Sequence, residues 1–341
     1  MVRRKLVFCA LGVLVLAFGA SYAAASASRQ SGGSLNGAGS TFVVPLVSKW
    51  QGAYKHNSVN YSGIGSGGGI AAITARTVDF GASDAPLSRD QFSSAHGVVQ
   101  IPWALSATSL PYNVRGGPVG LRLSGPVLAE IFLGRIKYWD NKKLKALNPH
   151  KNLPHEKIVP IYRSDASGTS FNFTDYLSHV SSEWASRVGT GTQVHFPTGV
   201  GAKGSSGVSG VLSRTSGGIT YVDAEYSILH KFDYAAIKNR AGRFLFPTLS
   251  SIKAAAAGVR QIRSDNGISI VDRGKSQPKA YPISTFTWVI VPVKTKKASD
   301  LKRFISWAIT KGQKFGPPLL FVPLPKPVLA RDTQTLKKIH S

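Results

Sequence analysis

The chain repeatedly places a short apolar segment before a junction rich in glycine and hydroxyl residues, followed by a helix-forming segment. The clearest case runs from the strand-like residues 157–162, through 163–169, to the helix-like residues 170–177. The first amides of a helix lack intrahelical partners and carry partial positive charge. Small residues there let an anion reach those amides. The junction therefore predicts an anion site, with a simple helix cap at Ser167 as the alternative.

Arg163 stands at the end of this predicted strand, and Asp165 follows it by two positions. An arginine offers a planar fork of donors that suits tetrahedral oxyanions. Asp165 is close enough in sequence to hold the guanidinium in place. The pair favours the anion interpretation over that of an arginine on a solvated loop.

The same arrangement occurs twice nearer the N-terminus. Ser40 and Thr41 precede a helix predicted over 43–56, and a second predicted strand, 59–62, enters a glycine-rich turn that contains Ser66. Each junction alone is explained equally well by helix capping.

A fourth strand end supplies a carboxylate instead of a hydroxyl. Asp84 follows a strand predicted over 80–82 and precedes Pro86, where a turn aspartate is the alternative interpretation. Ligands of open α/β sheets bind beyond the carboxyl ends of the strands. Four junctions of one kind therefore favour a shared anion site over four unrelated caps.

Two enzyme interpretations are weaker. Gly63, Gly65 and Gly68 match the dinucleotide fingerprint, but the acidic residue expected about 20 positions later would have to be Asp84, in the wrong setting. Ser66 is flanked by glycines without the outer spacing of a nucleophile elbow.

Chain length and net charge limit the number of domains and the kinds of partner. A chain of 341 residues predicts two domains. The formal charge of +26 falls to about +23 without the three positive residues at positions 3–5. Because the basic residues are scattered and no run interleaves them with aromatics, we expect no nucleic-acid partner but a field that attracts anions.

The N-terminus has the features of a signal peptide. Three positive residues at 3–5 precede an apolar run, and Ala-Ser-Ala at 25–27 fits a cleavage site, which predicts a removed leader over 1–27. An uncleaved anchor is the alternative, but the run is short for a span. The arginine pair also admits the twin-arginine route.

Cys9, the only cysteine, lies in this leader, so the mature chain would have no disulfide or thiolate metal site. The histidines show no metal-ligand spacing, and no metal or cofactor is predicted.

Four segments together resemble the ligand motifs of the phosphate-binding proteins, the periplasmic receptors of the phosphate ABC transporter. These segments are 37–42, 63–68, 78–87 and 163–170. Further similarity at 131–140, 188–192, 217–222 and 281–287 extends the resemblance over nearly the whole mature chain.

The resemblance implies an α/β fold of the two-domain periplasmic-binding-protein type II, with the ligand cleft between two lobes. Domain 1 would comprise 29–107 plus 282–341, and domain 2 would comprise 108–281. Two hinge segments would lie near 105–110 and 280–283.

It also implies phosphate ligands from both domains. Domain 1 would contribute Thr41, Phe42, Ser66 and Asp84, and domain 2 would contribute Arg163, Ser167, Gly168 and Thr169. Asp84 would accept a hydrogen bond from the protonated phosphate, and Asp165 would orient Arg163.

The implied function is binding of inorganic phosphate in the periplasm, by a monomer, and its delivery to the permease subunits of an ABC transporter, without catalysis. Two alternatives stay open: a receptor for another tetrahedral oxyanion, and a phosphate-binding surface protein that is not coupled to transport. The strongly basic charge departs from what the family leads us to expect. The glycine-rich segment 199–210 is predicted to be a functional or mobile loop without an assigned role.

Overall fold

The computed structural model describes residues 32–260, 262–272 and 274–341. The predicted signal peptide at 1–27, including Cys9, lies outside the described residues. Among the helices in the described ranges, none combines the length and the apolar character needed to cross a membrane.

The described residues contain fourteen strands and twelve α-helices. The strands are β1 (Gly32–Gly39), β2 (Asn57–Gly63), β3 (Phe80–Ser83), β4 (Val98–Ser109), β5 (Pro111–Asn113), β6 (Arg122–Leu123), β7 (Val159–Arg163), β8 (Val200–Ala202), β9 (Gly218–Thr220), β10 (Val222–Asp223), β11 (Asp233–Tyr234), β12 (Ala236–Lys238), β13 (Phe244–Leu245) and β14 (Ser284–Pro292). The helices are α1 (Val44–Ala53), α2 (Ser66–Thr74), α3 (Arg89–Ala95), α4 (Gly125–Phe132), α5 (Lys142–Leu147), α6 (Gly168–Val180), α7 (Ser182–Arg187), α8 (Gly204–Arg214), α9 (Ala224–Leu229), α10 (Leu249–Ala256), α11 (Ala298–Ile309) and α12 (Lys326–Leu336). Two 3-10 helices occupy Lys311–Phe315 and Pro317–Leu319.

The largest sheet has six strands in the order β10-β4-β14-β3-β1-β2. Strand β1 runs parallel to β2 and β3, so these three strands end at the same edge. Thr41, Ser66 and Asp84 each follow one of these ends. The parallel topology therefore gathers three of the predicted ligands, because carboxyl ends of parallel strands meet at one edge.

A second sheet has five strands in the order β11-β5-β9-β7-β8. Its strand β7 runs parallel to β8 and β9, and it ends at Arg163. Helices α6 and α8 begin shortly after β7 and β8, so the second sheet repeats the strand-to-helix junction. A third sheet consists of β13, β12 and β6.

The chain passes from the six-stranded to the five-stranded sheet between β4 and β5, at Leu110. The chain re-enters the large sheet at the short strand β10, which pairs with the end of β4, leaves it again for β11 to β13, and returns at β14. The domain boundaries at 107/108 and 281/282 themselves stay a prediction.

Strand β14 forms the centre of the large sheet because its sequence suits full burial. It alternates threonine and valine with aromatic residues, and all nine of its positions are buried between antiparallel neighbours β3 and β4. β-Branched and aromatic residues are those that a strand enclosed on both faces favours. The buried strand predicted over 286–291 is thus confirmed.

Aromatic packing attaches α1 and α11 to this sheet. The rings of Trp50 and Phe80 both meet Trp103 edge to face, with centroids 5.2 and 6.0 Å away, respectively. Phe304 of α11 also meets Trp103 edge to face. Such pairs contribute roughly 0.5–1.5 kcal/mol each beyond the area that they bury.

The prediction of a loop over 199–210 is wrong. These residues form β8 and the first half of α8, although glycine and serine disfavour a helix. Val208 and Leu212, one turn apart, are fully buried against Ile161. Tertiary packing of this one apolar face outweighs the low helix propensity.

The predicted helix at 300–311 begins two residues earlier, at Ala298, and Ser299 does not cap it. Lys297 takes the N-cap position, and its carbonyl accepts the first helical hydrogen bond, from the amide of Leu301. The Lys297 side chain is fixed at this point by Asp79, at 2.7 Å. A contact between distant segments therefore fixes the residue at which α11 begins.

Candidate anion-binding site

The predicted ligand residues lie together in the interior, where the junctions of the two large sheets meet. Thr41 is 9% exposed, and the side chains of Ser66, Asp84, Arg163 and Thr169 are each 4% exposed or less. Phe42 and Ser167 are buried as well, as is Gly168. Hydrogen bonds connect members of the cluster that are far apart in the sequence.

Asp84 lies at the centre of the cluster. Its carboxylate accepts the hydroxyl of Ser40 at 2.5 Å and that of Ser66 at 3.3 Å. Burial raises the pKa of Asp84 to about 7, and the nearby Asp223 carboxyl adds to this rise. The hydrogen bond from Ser40 and the charge of Arg163 oppose part of it. A carboxyl group with this pKa exchanges its proton near neutral pH.

Gly168 brings the first turn of α6 against the large sheet. Its amide donates to the Ser66 hydroxyl at 3.0 Å. A β-carbon at this position would lie 2.7 Å from the Asp84 β-carbon and amide nitrogen and from the Ser66 oxygen. Only a residue without a side chain permits this approach.

Arg163 is the buried cation of the cluster. Its Nε and Nη2 donate to the two carboxylate oxygens of Asp165 at 2.7 and 2.6 Å, and its Nη1 donates to Ser205 at 3.2 Å. Burial acts to lower the pKa of Arg163, but the hydrogen bonds and charge of Asp165 raise it above the usual value. Burial acts to raise the pKa of Asp165, but Arg163 lowers it. Both groups therefore stay charged.

The helix-cap interpretation is right for Ser167 and wrong for two other junctions. The Ser167 hydroxyl accepts the amide of Ser170 at 3.2 Å, and its own amide donates to Thr192 at 2.8 Å. By contrast, α2 and α1 begin without a side-chain cap, so Ser66 and Thr41 do not cap them. Instead, Ser66 and Thr41 direct their hydroxyls into the cluster.

The structure adds residues that the sequence interpretation left out. Asp223 is fully buried and accepts the hydroxyls of Thr169 at 2.7 Å and Ser205 at 2.5 Å. Ser205 also lies 2.7 Å from the Thr41 hydroxyl. Ser40, which the sequence did not identify as part of the site, donates its hydroxyl to Asp84 at 2.5 Å. The available signal for Asp223 was its place at the end of another strand.

Glu225, two positions after Asp223 in the first turn of α9, is fully buried, and neither of its carboxylate oxygens has a partner among the described residues. Burial raises its pKa well above the usual value, and the charges of Asp223 and Asp84 add to the rise. Burial also raises the pKa of Asp223, against the opposing charge of Arg163. A buried carboxyl group without a partner takes up a proton and becomes neutral.

The chemistry of the cluster suits a tetrahedral oxyanion. One forked cation, several hydroxyls and helix-start amides provide donors in a dry environment, where each hydrogen bond to a charged group is stronger than in water. The carboxyl group of Asp84 offers an acceptor, which only a protonated anion can use. The arrangement therefore favours an oxyanion that carries a proton.

Comparisons with known proteins agree with this chemistry. A family model described as PBP superfamily domain matches residues 24–311. The phosphate-binding protein PstS of Xylella fastidiosa strain Temecula1 is 40% identical over 307 residues, covering 88% of this chain and 84% of that protein. The PstS protein of Pasteurella multocida is 37% identical, covering 87% of this chain and 88% of that protein.

Solved structures share the fold. A high affinity periplasmic phosphate-binding protein, PfluDING, superposes with a TM-score of 0.70 at 22% identity, covering 89% of this chain and 92% of that chain. A human phosphate binding apolipoprotein gives a TM-score of 0.71 at 20% identity, covering 87% and 92%. The predicted α/β periplasmic-binding-protein fold is thus confirmed. The chain belongs to the PstS family of phosphate-binding proteins, within the PBP superfamily.

Proposed function

We propose that this protein binds inorganic phosphate with high affinity between two lobes and delivers it to the permease subunits of a phosphate ABC transporter. The lobes would comprise 29–107 plus 282–341 and 108–281. The proposal rests on one observation: Arg163, Asp84 and the hydroxyls at the strand ends are buried close together. Family membership supports the same ligand.

Each residue would have a distinct task. Arg163, held by Asp165, would pair with the phosphate charge, and Asp84 would accept the hydrogen bond of its P–OH group. The remaining groups would donate through hydroxyls or amides; they are Thr41, Phe42, Ser66, Gly168 and Thr169. Ser167 would also donate to the phosphate, because its hydroxyl accepts the Ser170 amide as the cap of α6 and keeps its own hydrogen for the anion.

We also infer that the protein is exported and acts in the periplasm as a monomer, after removal of the leader at 1–27. The leader composition supports export, and the neighbour PfluDING is described as periplasmic. Sequencing the N-terminus of the secreted chain would test this. A mature chain that still begins at residue 1 would contradict cleavage.

Calorimetric titration tests the central proposal. The mature chain is unfolded and refolded to remove bound ligand, and is then titrated with phosphate and with sulfate at one salt concentration. We expect tight binding of phosphate and weak binding of sulfate. Preference for sulfate would instead favour a receptor for another oxyanion, and no binding of either would refute the proposal.

Coupling to transport needs a second experiment, because a surface protein that binds phosphate would behave identically in the calorimeter. We expect the protein to stimulate phosphate uptake by its cognate permease in vesicles. Phosphate binding without stimulation would favour the uncoupled surface protein. The related proteins are named as binding proteins, and no turnover is expected.

A further inference from the structure

The first turn of α8 extends into the candidate site from the segment without an assigned role, 199–210. Ser205 in this turn is fully buried. Its hydroxyl oxygen lies 2.7 Å from the Thr41 hydroxyl, 3.2 Å from Arg163 Nη1 and 2.5 Å from Asp223 Oδ2. Two of these three partners are proposed phosphate ligands from different sheets.

We propose that Ser205 is an additional phosphate ligand and that Asp223 is the positioning residue that directs its hydroxyl. The inference rests on the proposed function, and it gives the glycine-rich segment a role in binding.

The distances carry the first half of the proposal. A phosphate oxygen that contacts both Thr41 and Arg163 must lie within hydrogen-bond length of each, as the Ser205 oxygen does. The Ser205 hydroxyl therefore lies beside the position that such an oxygen would take, while it keeps its contact with Asp223. Because hydrogen bonds to charged groups are among the stronger ones, Ser205 would contribute measurably to affinity.

The number of hydrogens that Ser205 can donate supports the role of Asp223. A serine hydroxyl has one hydrogen to donate. When Asp223 is ionised, Ser205 gives that hydrogen to the carboxylate and turns lone pairs towards the phosphate. When Asp223 carries a proton on Oδ2, it donates to Ser205, and the Ser205 hydrogen can turn to the anion. Binding through Ser205 therefore requires a proton on Asp223.

The surroundings of Asp223 are consistent with such a proton. Arg163 from β7 faces it as a cation, while Asp84 after β3 and the α9 residues Glu225 and Tyr226 face it as acidic groups. Burial raises the pKa of Asp223, whereas the charge of Arg163 and the hydrogen bonds from Ser205 and Thr169 oppose the rise. A bound phosphate brings further negative charge, which raises that pKa again.

Three variants separate the possibilities. Ser205→Ala removes the donor, and we expect phosphate affinity to fall about tenfold or more. Ser209→Ala is the matched control, because Ser209 is buried on the same helix and its hydroxyl has no partner among the described residues. Asp223→Asn replaces the protonated carboxyl by an amide that donates to Ser205 at every pH.

Titrations of phosphate from pH 6 to 9, in two buffers of different ionisation enthalpy, measure affinity and proton uptake together. We expect the wild type to take up a proton on binding and to lose affinity as the pH rises. Asp223→Asn should lose less affinity over the same range and take up fewer protons than the wild type, because only Asp84 and the phosphate itself still titrate. Ser205→Ala should lower both the affinity and the proton uptake. A Ser205 that only joined α8 to its neighbours would lower affinity and leave proton uptake unchanged.

The outcomes distinguish this inference from the function on which it rests. A wild type that does not bind phosphate refutes the proposed function. A wild type that binds, with a Ser205→Ala variant of equal affinity and an unchanged circular-dichroism melt, overturns the role of Ser205. If Asp223→Asn takes up as many protons on binding as the wild type does, the role of Asp223 is overturned, whatever the affinity of Ser205→Ala.

Discussion

Asp84 is unusual in an anion site, because a carboxylate repels the ligand unless that ligand brings a hydrogen. Phosphate near neutral pH carries a proton, whereas sulfate carries none. A site built for a donor rejects the analogue that lacks it, by factors of about 10⁴–10⁵ in favourable cases. Asp84 accepts three side-chain hydrogen bonds, so it does more than form the turn before Pro86.

We predict that Asp84→Asn narrows the gap between phosphate and sulfate affinity. The asparagine amide donates as well as accepts, so it meets either anion without charge repulsion. Competition titrations at fixed salt measure the ratio of the two affinities. An unchanged ratio would place Asp84 outside the recognition of the anion.

Arg163→Ala should weaken phosphate binding severely. Removing one partner of a buried charge pair costs on the order of 2–5 kcal/mol, here also because Asp165 would lose its cation. Arg135→Ala is the matched control, since Arg135 pairs with Glu183 at 2.8 Å on the surface. The control should bind phosphate as the wild type does in the same calorimetric titration. Near-normal affinity of Arg163→Ala would contradict the proposed ion pair.

The buried side chain of Asp332 affects how the stability of the fold depends on pH. It is fully buried, and neither carboxylate oxygen has a partner among the described residues. Burial raises its pKa well above the usual value, with Arg331 opposing. A raised pKa in the folded state means that the stability it contributes is fully present below the unfolded pKa and is lost as the pH rises.

Asp332→Asn should therefore stabilise the protein at pH 8 and change little at pH 4, where Asp332 is already neutral. Thermal unfolding followed by circular dichroism across this range measures the difference in Tm. Equal shifts of Tm at both pH values would show that charge burial at Asp332 is not the cause.

At the scale of elements, the junctions at strand ends were predictable because their signal is local. Thr41, Ser66, Asp84 and Arg163 each follow a short apolar segment, and parallel strands bring such ends to one edge. The resemblance to a known family supplied their roles. Which of them cap a helix was not predictable from the hydroxyls alone.

Helix α8 and its Ser205 were missed for a physical reason. Its glycines and serines have low helix propensity, and the helix depends on packing against β7 rather than on its own sequence. Ser205 meets Thr41 across 164 positions of sequence. A contact of that span leaves no local pattern, so only the folded chain reveals it. The same holds for the N-cap of α11.

The approach of α6 to the large sheet gives an element-scale prediction. Gly168→Ala would place a β-carbon 2.7 Å from the Asp84 β-carbon and amide nitrogen. Asp84 directly follows β3, and its amide donates to the Ser66 hydroxyl at 3.2 Å, so these atoms cannot easily move. We expect weaker phosphate binding, because the closed arrangement becomes strained while each sheet stays intact.

Gly52→Ala, in helix α1, is the control for this substitution. A β-carbon there meets nothing within 4 Å, so binding should be unchanged and stability should rise by up to about 1 kcal/mol. Titration calorimetry and thermal unfolding measure both effects. A Gly168→Ala variant that binds as tightly as Gly52→Ala would show that this close approach is not needed.

At the scale of the whole molecule, the strong positive charge should act on ligand capture rather than on the site. A formal charge of +26, or about +23 without the predicted leader, surrounds a buried cluster that holds more carboxyl groups than cations. Scattered surface charge raises the local concentration of anions and is screened by salt over about 8 Å at physiological ionic strength. Discrimination between anions then depends on the buried hydrogen bonds.

We predict that the two proposed lobes close on the bound anion. Ser66 and Asp84 follow strands of the large sheet, while Arg163 ends β7 of the five-stranded sheet and Gly168 begins the helix after it. An anion bound by both sets must therefore draw the lobes together. The movement would occur where the chain passes between sheets, at Leu110 and before β14, because hinges are short segments at the ends of elements.

Small-angle scattering of the refolded, ligand-free protein should show a larger radius of gyration than the same sample with phosphate. A compact chain of this length has a radius of about 20 Å, and sufficient salt removes repulsion between the basic molecules. Sulfate at equal concentration is the control for ionic strength and should leave the radius unchanged. Arg163→Ala should keep the larger radius at phosphate concentrations that close the wild type. A wild-type radius that is the same with and without phosphate, in a sample shown by calorimetry to bind it, would mean that the lobes do not close on the ligand.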